Sequence, residues 1–207
     1  MAITDYASLQ AEVAAYLHRA DLTAVIPDFI TLAEIEINAD LRLKPMETAL
    51  VLTTAAGTGT VALPADFAQM RLAYVVSGAL ITELGYLAPD NLRRLYRQAS
   101  ATGLPRRYSI EGANMVLGPV PDSAYAINGI YYTRLPALAS GPNWLVQQAP
   151  SVYLYGALKQ AAPFLGNDAR LALWSQLYDQ ITAKLTMADQ RGQHAGTLAV
   201  ATDTGNP

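Results

Sequence analysis

Helix-patterned sequence lies at both ends of this 207-residue chain and strand-patterned sequence lies between, so the two terminal blocks must find each other across a long β insertion. Residues 6 to 43 and 149 to 192 carry apolar side chains at helical spacing, whereas residues 46 to 135 read as short strands and turns. That layout predicts an α+β fold with segregated layers.

Hydrophobic residues make up 52% of the chain, ample for a core. Charged residues are only 15%, against roughly 25% in an average soluble protein. Two readings follow: an ordinary Ala-rich soluble protein, or one whose surface is partly covered by partners. With 14 cations against 17 anions the net charge is −3, unlike the basic balance of a general nucleic-acid binder. The absence of cysteine removes disulfides, thiolate nucleophiles and thiolate metal ligands together, and suits a reducing compartment. Met1 to Asp5 has no cationic stretch followed by an apolar core, so no signal peptide is expected. No apolar run reaches the roughly 18 residues of a membrane span.

In the first helix Thr4 is the expected N-cap with Asp5 in the first turn; Tyr6, Leu9, Val13, Tyr16 and Leu17 share a face, and the helix is expected to stop near Arg19. Pro27 suits the first position of a second helix with the stripe Ile30, Ala33, Ile37 and Leu41, ended by Pro45. The short joint favours an antiparallel helical hairpin. After Pro150, Tyr153, Leu154, Ala157, Leu158 and Ala161 form a compact stripe broken at Pro163 and Gly166. Asn167 or Asp168 is positioned to cap a last helix through Leu171, Trp174, Leu177, Ile181, Leu185 and Ala188, the strongest helical pattern in the chain.

Between these blocks, Thr48 to Thr54 and Thr60 to Leu63 flank Gly57-Thr-Gly59 and read as a hairpin. Met70 to Val76 and Ile81 to Leu84 form a second pair around Ser77-Gly78, and Pro89 to Tyr96 reads as a short helix or turn, with Ala88 restricted by its proline. Arg107 to Glu111, Met115 to Leu117 and Tyr125 to Tyr132 complete the region as a small antiparallel sheet. In the last of these, Tyr125, Ile127, Gly129 and Tyr131 alternate with Ala126, Asn128, Ile130 and Tyr132; one face is expected on the helices, the other against a neighbouring subunit.

No constellation of side chains points to a reaction. His18 and His194 are the only histidines and neither has a second His or a Cys at ligand spacing; His18 suits a helix C-terminus, where an imidazolium complements the dipole. Glu34 and Glu36 point to different helix faces, while Glu34 and Asn38 are i, i+4 neighbours. A glycosidase would need opposed carboxylates drawn from Asp66, Glu83, Asp90, Glu111 and Asp122 through an unseen fold. Gly57-Thr-Gly59 lacks the further Gly and Lys of a phosphate loop, and no serine sits in a Gly-x-Ser-x-Gly elbow. No catalytic residue, metal site or cofactor is expected.

One charge concentration stands out: Arg93, Arg94, Arg97, Arg106 and Arg107, five cations within fifteen residues and no lysine among them. Forked guanidinium donors suit carboxylates at a protein interface or phosphates of DNA, and a solvated basic face explains them as well. Tyr96 and Tyr108 beside them suit an interface anchor or base stacking. The negative total charge favours the interface. The alternatives are a nucleic-acid-binding module at 93–107 and a carboxylate-dependent hydrolase.

Taken in order, the segments resemble tailed-phage head-to-tail adaptor proteins (head-tail connectors of the tail tubular protein A type). The residues that carry the likeness are Tyr6 to Leu17, Asp21 to Ile30, the Ala33-Glu-Ile-Glu-Ile-Asn38 helix, Leu63-Pro-Ala-Asp-Phe67, Pro105 to Glu111, Leu117-Gly-Pro-Val-Pro-Asp122, Tyr131 to Arg134, Asn143-Trp-Leu145 and Ala149 to Tyr155. The resemblance spans about residues 4 to 190 and has no catalytic fingerprint. It implies a non-enzymatic virion protein of the phage neck, assembled in the bacterial host cytoplasm without a membrane. A ring of about twelve copies would sit between portal and tail nozzle or tail tube, with DNA passing through it. For this chain it implies a helical bundle built from an N-terminal hairpin, residues 1–45, and C-terminal helices, residues 141–192. An inserted antiparallel β-rich region, residues 46–140, would face tail components, and a tail, residues 193–207, would run onto the portal. Candidate portal-binding residues are then Gln193, His194, Thr197, Leu198, Val200 and Asp203, and candidate subunit or tail contacts are Arg93, Arg94, Tyr96, Arg97, Arg106, Arg107 and Tyr108.

Overall fold

This computed structural model of the protein describes residues 2–97, 102–166 and 170–193. The chain divides into two compact units: one joins residues 1–45 to 135–207, the other is 46–134. The fold is α+β, with seven α-helices and two four-stranded sheets among the described residues.

In the first unit α1 (Tyr6–Leu17) is capped by Asp5, not by Thr4 as expected. Ser8 explains the difference, because its N–H donates to Asp5 Oδ1 at 2.8 Å while its hydroxyl accepts the Asp5 N–H at 3.0 Å, a reciprocal box that Thr4 could not close. The helix stops at Leu17, two residues before Arg19, since His18 turns left-handed at φ 52°. Leu9, Val13 and Leu17 are buried, but Tyr16 of the expected stripe lies exposed.

The second helix, α2 (Ile26–Asp40), takes Pro27 as its second residue, where a missing N–H costs nothing. Its stripe is buried as the spacing requires. The end falls earlier than Pro45: Leu41 is already extended, and Leu41 and Leu43 alternate inward with Arg42 between them. A short helix α4 (Trp144–Gln148) is capped by the buried Asn143, whose Oδ1 accepts two backbone N–H groups at 3.1 Å and whose Nδ2 donates to Tyr153 Oη at 2.7 Å. α5 (Pro150–Gln160) follows, then α6 (Ala162–Leu165) and α7 (Arg170–Gln193).

The middle of this unit is α5, packed against α1, α2 and α7. Gly156 allows the approach to α2: a Cβ there would meet Ala33 Cβ at 3.1 Å. Along α7 only Trp174 and Tyr178 are buried; Leu171, Leu177, Ile181 and Leu185 are half-buried and Ala188 is exposed. Polar ties fix the register. Lys159 Nζ donates to Glu36 Oε1 at 2.5 Å and sits 4.9 Å from the Tyr178 ring centroid, and Tyr178 Oη donates to Asp40 Oδ2 at 3.1 Å. Asn167 and Asp168, the expected caps of the last helix, lie outside the described residues, as does the tail from His194 onward.

The second unit holds β1 (Glu47–Thr53), β2 (Thr60–Ala62), β3 (Phe67–Ser77), β4 (Leu80–Glu83), β5 (Gly85–Tyr86), α3 (Pro89–Leu95), β6 (Arg107–Glu111), β7 (Asn114–Gly118) and β8 (Ala126–Thr133). One sheet runs β1-β8-β3-β4, all antiparallel; the other runs β2-β7-β6-β5 and is mixed, because β5 and β6 are parallel.

The β3–β4 hairpin forms around Gly78 at φ 59°, and β6–β7 closes at Gly112 at φ 60°. The expected hairpin of Thr48 to Thr54 with Thr60 to Leu63 does not form: β1 joins β8 and β2 joins β7, in different sheets. The crossing is held by the 121–125 loop, where the Gly57 N–H donates to Pro121 O at 2.8 Å and buried Thr54 bonds Ser123 O and the Tyr125 N–H. β8 likewise leaves β6 and β7 for the first sheet, so the expected three-strand sheet is also overturned. On β8, Ile127 and Tyr131 join Leu50, Met70, Val75, Met115 and Leu117 in a core between the two sheets.

Candidate subunit and tail interface

Proline at the head of α3 and the cap at Ala88 (φ −60°, ψ 146°) start the helix that carries Arg93 and Arg94, and α3 packs on β6, which carries Arg107 and Tyr108. The sequence cluster thereby becomes a spatial one within the β unit. Its members are not equivalent. Arg93 Nη2 lies 2.6 Å from Glu111 Oε2, an intramolecular pair with the arginine largely exposed. Arg107 lies across Gly85, and any Cβ there would collide with the guanidinium. Tyr96 packs its ring on Gly118, where a Cβ would come within 2.5 Å of Cδ2. Arg94, Arg97 and Arg106 are exposed and make no ion pair among the described residues.

Tyr108 differs from its neighbours. It is 7% exposed, belongs to the core between the sheets, and meets Tyr86 edge-on with centroids 5.5 Å apart. Burial, then the neighbouring Tyr86, raises its phenol above the usual tyrosine range. A ring committed in this way has little face left for a base or a partner, whereas Tyr86, which the sequence did not single out, is exposed beside it. Beside this pair a cleft of about 500 Å³ is lined by Phe67, Met70, Arg71 and Ile110, with Arg71 held by an ion pair to Glu47. It offers an apolar floor and one already satisfied cation, which suits packing against another protein better than catalysis.

Gln193 ends α7, and His194, Thr197, Leu198, Val200 and Asp203 lie outside the described residues. Among the described residues no group of three or more His, Cys, Asp or Glu could hold a metal ion, and no helix is long and apolar enough to cross a membrane.

The chain is α+β, and its arginine cluster lies on α3 and at β6 of the β unit. Residues 4–201 match the SU10 adaptor protein family model, and the chain belongs to this family of phage head-to-tail adaptors. No curated protein matches the chain. As a family member it is a phage structural adaptor, a component of the virion neck.

Proposed function

We propose that this protein forms a ring of about twelve copies between the portal and the tail nozzle or tail tube, with DNA passing through its centre. The family match over residues 4–201 carries this reading. In it the helices of 1–45 and 141–192 act as a bundle that holds the ring together, the inserted region 46–140 faces tail components, and the tail 193–207 reaches the portal. Arg94, Arg97 and Arg106, exposed and unpaired among the described residues, serve as donors to carboxylates of a neighbouring subunit or the nozzle. A DNA-binding role for the same cluster is disfavoured by the Arg93–Glu111 pair and by the burial of Tyr108, which remove one cation and one stacking ring from reach.

Electron microscopy of the chain mixed with its portal tests the proposal. Rings docked on the portal are expected, and a persistent monomer beside intact portal would sink it. Deleting residues 193–207 should abolish docking; portal assembly retained by that truncation would refute the tail assignment while leaving the ring.

A further inference from the structure

The two sheets end differently. The second is bounded by β2 and β5, of three and two residues, too short to template another strand. The first is bounded by β1 and β4. β1 pairs with β8 over seven consecutive residues with no register shift, and it contains neither proline nor lysine. It therefore lacks the proline kink, lysine or bulge that usually blunts an edge, and its one charge, Glu47, stands at its first residue in an ion pair with Arg71. Its outward Val51 is 73% exposed, and at the opposite edge Ile81 is 67% and Leu80 60% exposed.

Strand polarity relates these edges. Four strands alternating in direction leave β1 and β4 antiparallel to each other, so a β4 laid against the β1 of a second copy continues the alternation. Side-chain parity agrees. Leu50 points inward and Val51 outward on β1; Thr82 lies opposite buried Val75 and Ile81 opposite Val76, so Ile81 also points outward. Register can be chosen as well. Setting Val51 opposite Ile81 puts Leu52 opposite Leu80 and Glu83 opposite Ala49, two aliphatic pairs without a charge conflict. A slip that sets Ala49 opposite Ile81 brings Glu83 against Glu47.

We propose that the β1-β8-β3-β4 sheet continues from copy to copy, β1 of one copy pairing with β4 of the next, with Val51 against Ile81 as its centre. The proposal rests on the ring reading above, because a contact between two different edges is heterologous and propagates around a ring instead of closing a dimer.

The chain has no cysteine, which makes the contact directly testable. In rings assembled from the full chain and its portal, Val51→Cys combined with Ile81→Cys should oxidise to a ladder of covalent multimers, since opposed strands bring Cα atoms within disulfide range. Val51→Cys with Thr82→Cys, on opposite faces, should give none. The pairs Ala49→Cys/Ile81→Cys and Thr53→Cys/Ile81→Cys cover a two-residue slip either way. Rings visible by electron microscopy with no ladder from any same-face pair would overturn the edge pairing and leave the ring. Dimers from Val51→Cys alone would overturn it in favour of a two-fold contact. Absence of rings would overturn the ring reading and the pairing together. Val51→Lys or Ile81→Lys should lower the ring population severalfold while the circular dichroism of the isolated chain is unchanged; full ring yield from both lysine variants would also overturn the pairing.

Discussion

Asn38 Oδ1 accepts the Leu135 N–H at 2.7 Å, joining residues 97 apart at the point where the chain returns to the helical unit. The Asn38 Nδ2 group donates to Glu34 O at 3.0 Å, and more weakly to Leu135 O at 3.4 Å. One helical turn earlier Glu34 Oε1 accepts the Leu138 N–H at 2.7 Å. Burial raises the Glu34 carboxyl above its usual range, and the Leu138 bond works against that rise. The i, i+4 pair visible on α2 is thus a clamp on the returning chain at Leu135 and Leu138.

Asn38→Leu keeps the branched shape and removes the acceptor, leaving the Leu135 N–H without its partner. A loss of about 1–3 kcal/mol is expected in urea denaturation. Asn38→Asp keeps the acceptor and should lose less. Equal midpoints for wild type and Asn38→Leu would show that the clamp contributes nothing.

Two glycines are set by close approach. A Cβ on Gly129, at the centre of the first sheet, would collide with Leu72 O, a backbone atom that cannot step aside. Gly129→Ala should destabilise the β unit by more than the about 1–3 kcal/mol of ordinary overpacking. At Gly156 the obstacles are the side chains of Ala33 and Tyr178, so Gly156→Leu should cost about 1–3 kcal/mol by prising α5 from α2. Thermal melts of the two variants would check the order.

Alkaline pH should loosen the helical unit. Burial pushes the Tyr153 phenol up to about 12, and burial followed by the nearby Asp40 carboxylate pushes Tyr178 up as well. In the unfolded chain both ionise near about pH 10. Above that pH the unfolded state gives up protons that the folded state keeps. Unfolding free energy, whole below pH 10, therefore falls by about 1.4 kcal/mol per pH unit per tyrosine. Tyr178→Phe should flatten that slope while losing about 1 kcal/mol at neutral pH with its bond to Asp40. Denaturant midpoints from pH 8 to about 12 report both effects, and parallel curves would contradict the assignment.

Replacing Arg94, Arg97 and Arg106 by Glu should cost no more than about 0.5 kcal/mol per site, because these side chains are exposed. Ring or nozzle assembly should fail. Arg93→Ala breaks only the partly exposed pair with Glu111 and should cost less than about 1 kcal/mol. Wild-type assembly by the triple variant would release the cluster from any interface role.

Local signals in the sequence were read correctly where neighbours a few residues apart decide the structure. The α2 and α5 stripes, the Gly78 and Gly112 turns and the short helix after Ala88 all rest on spacing and on backbone freedom. The α1 cap went to Asp5 because a hydroxyl three residues on outweighed the choice between two adjacent cap types. Strand partners were not legible. Thr48 to Thr54 looks the same whether it pairs across the Gly57 turn or with a strand more than seventy residues away, since alternation fixes a face and never names the neighbour.

The arginine cluster was legible as a concentration of charge, and its division was not: whether Arg93 meets Glu111, or Tyr108 faces inward, depends on which strand β6 lies beside. Sequence alone determined the split α+β layout, the helix faces and the family likeness, because each follows from periodicity or from ordered local motifs. Tertiary structure alone decided the two sheets, the clamp at Leu135 and the free edges β1 and β4. These depend on contacts between segments far apart in the chain, which chain closure and core packing select together.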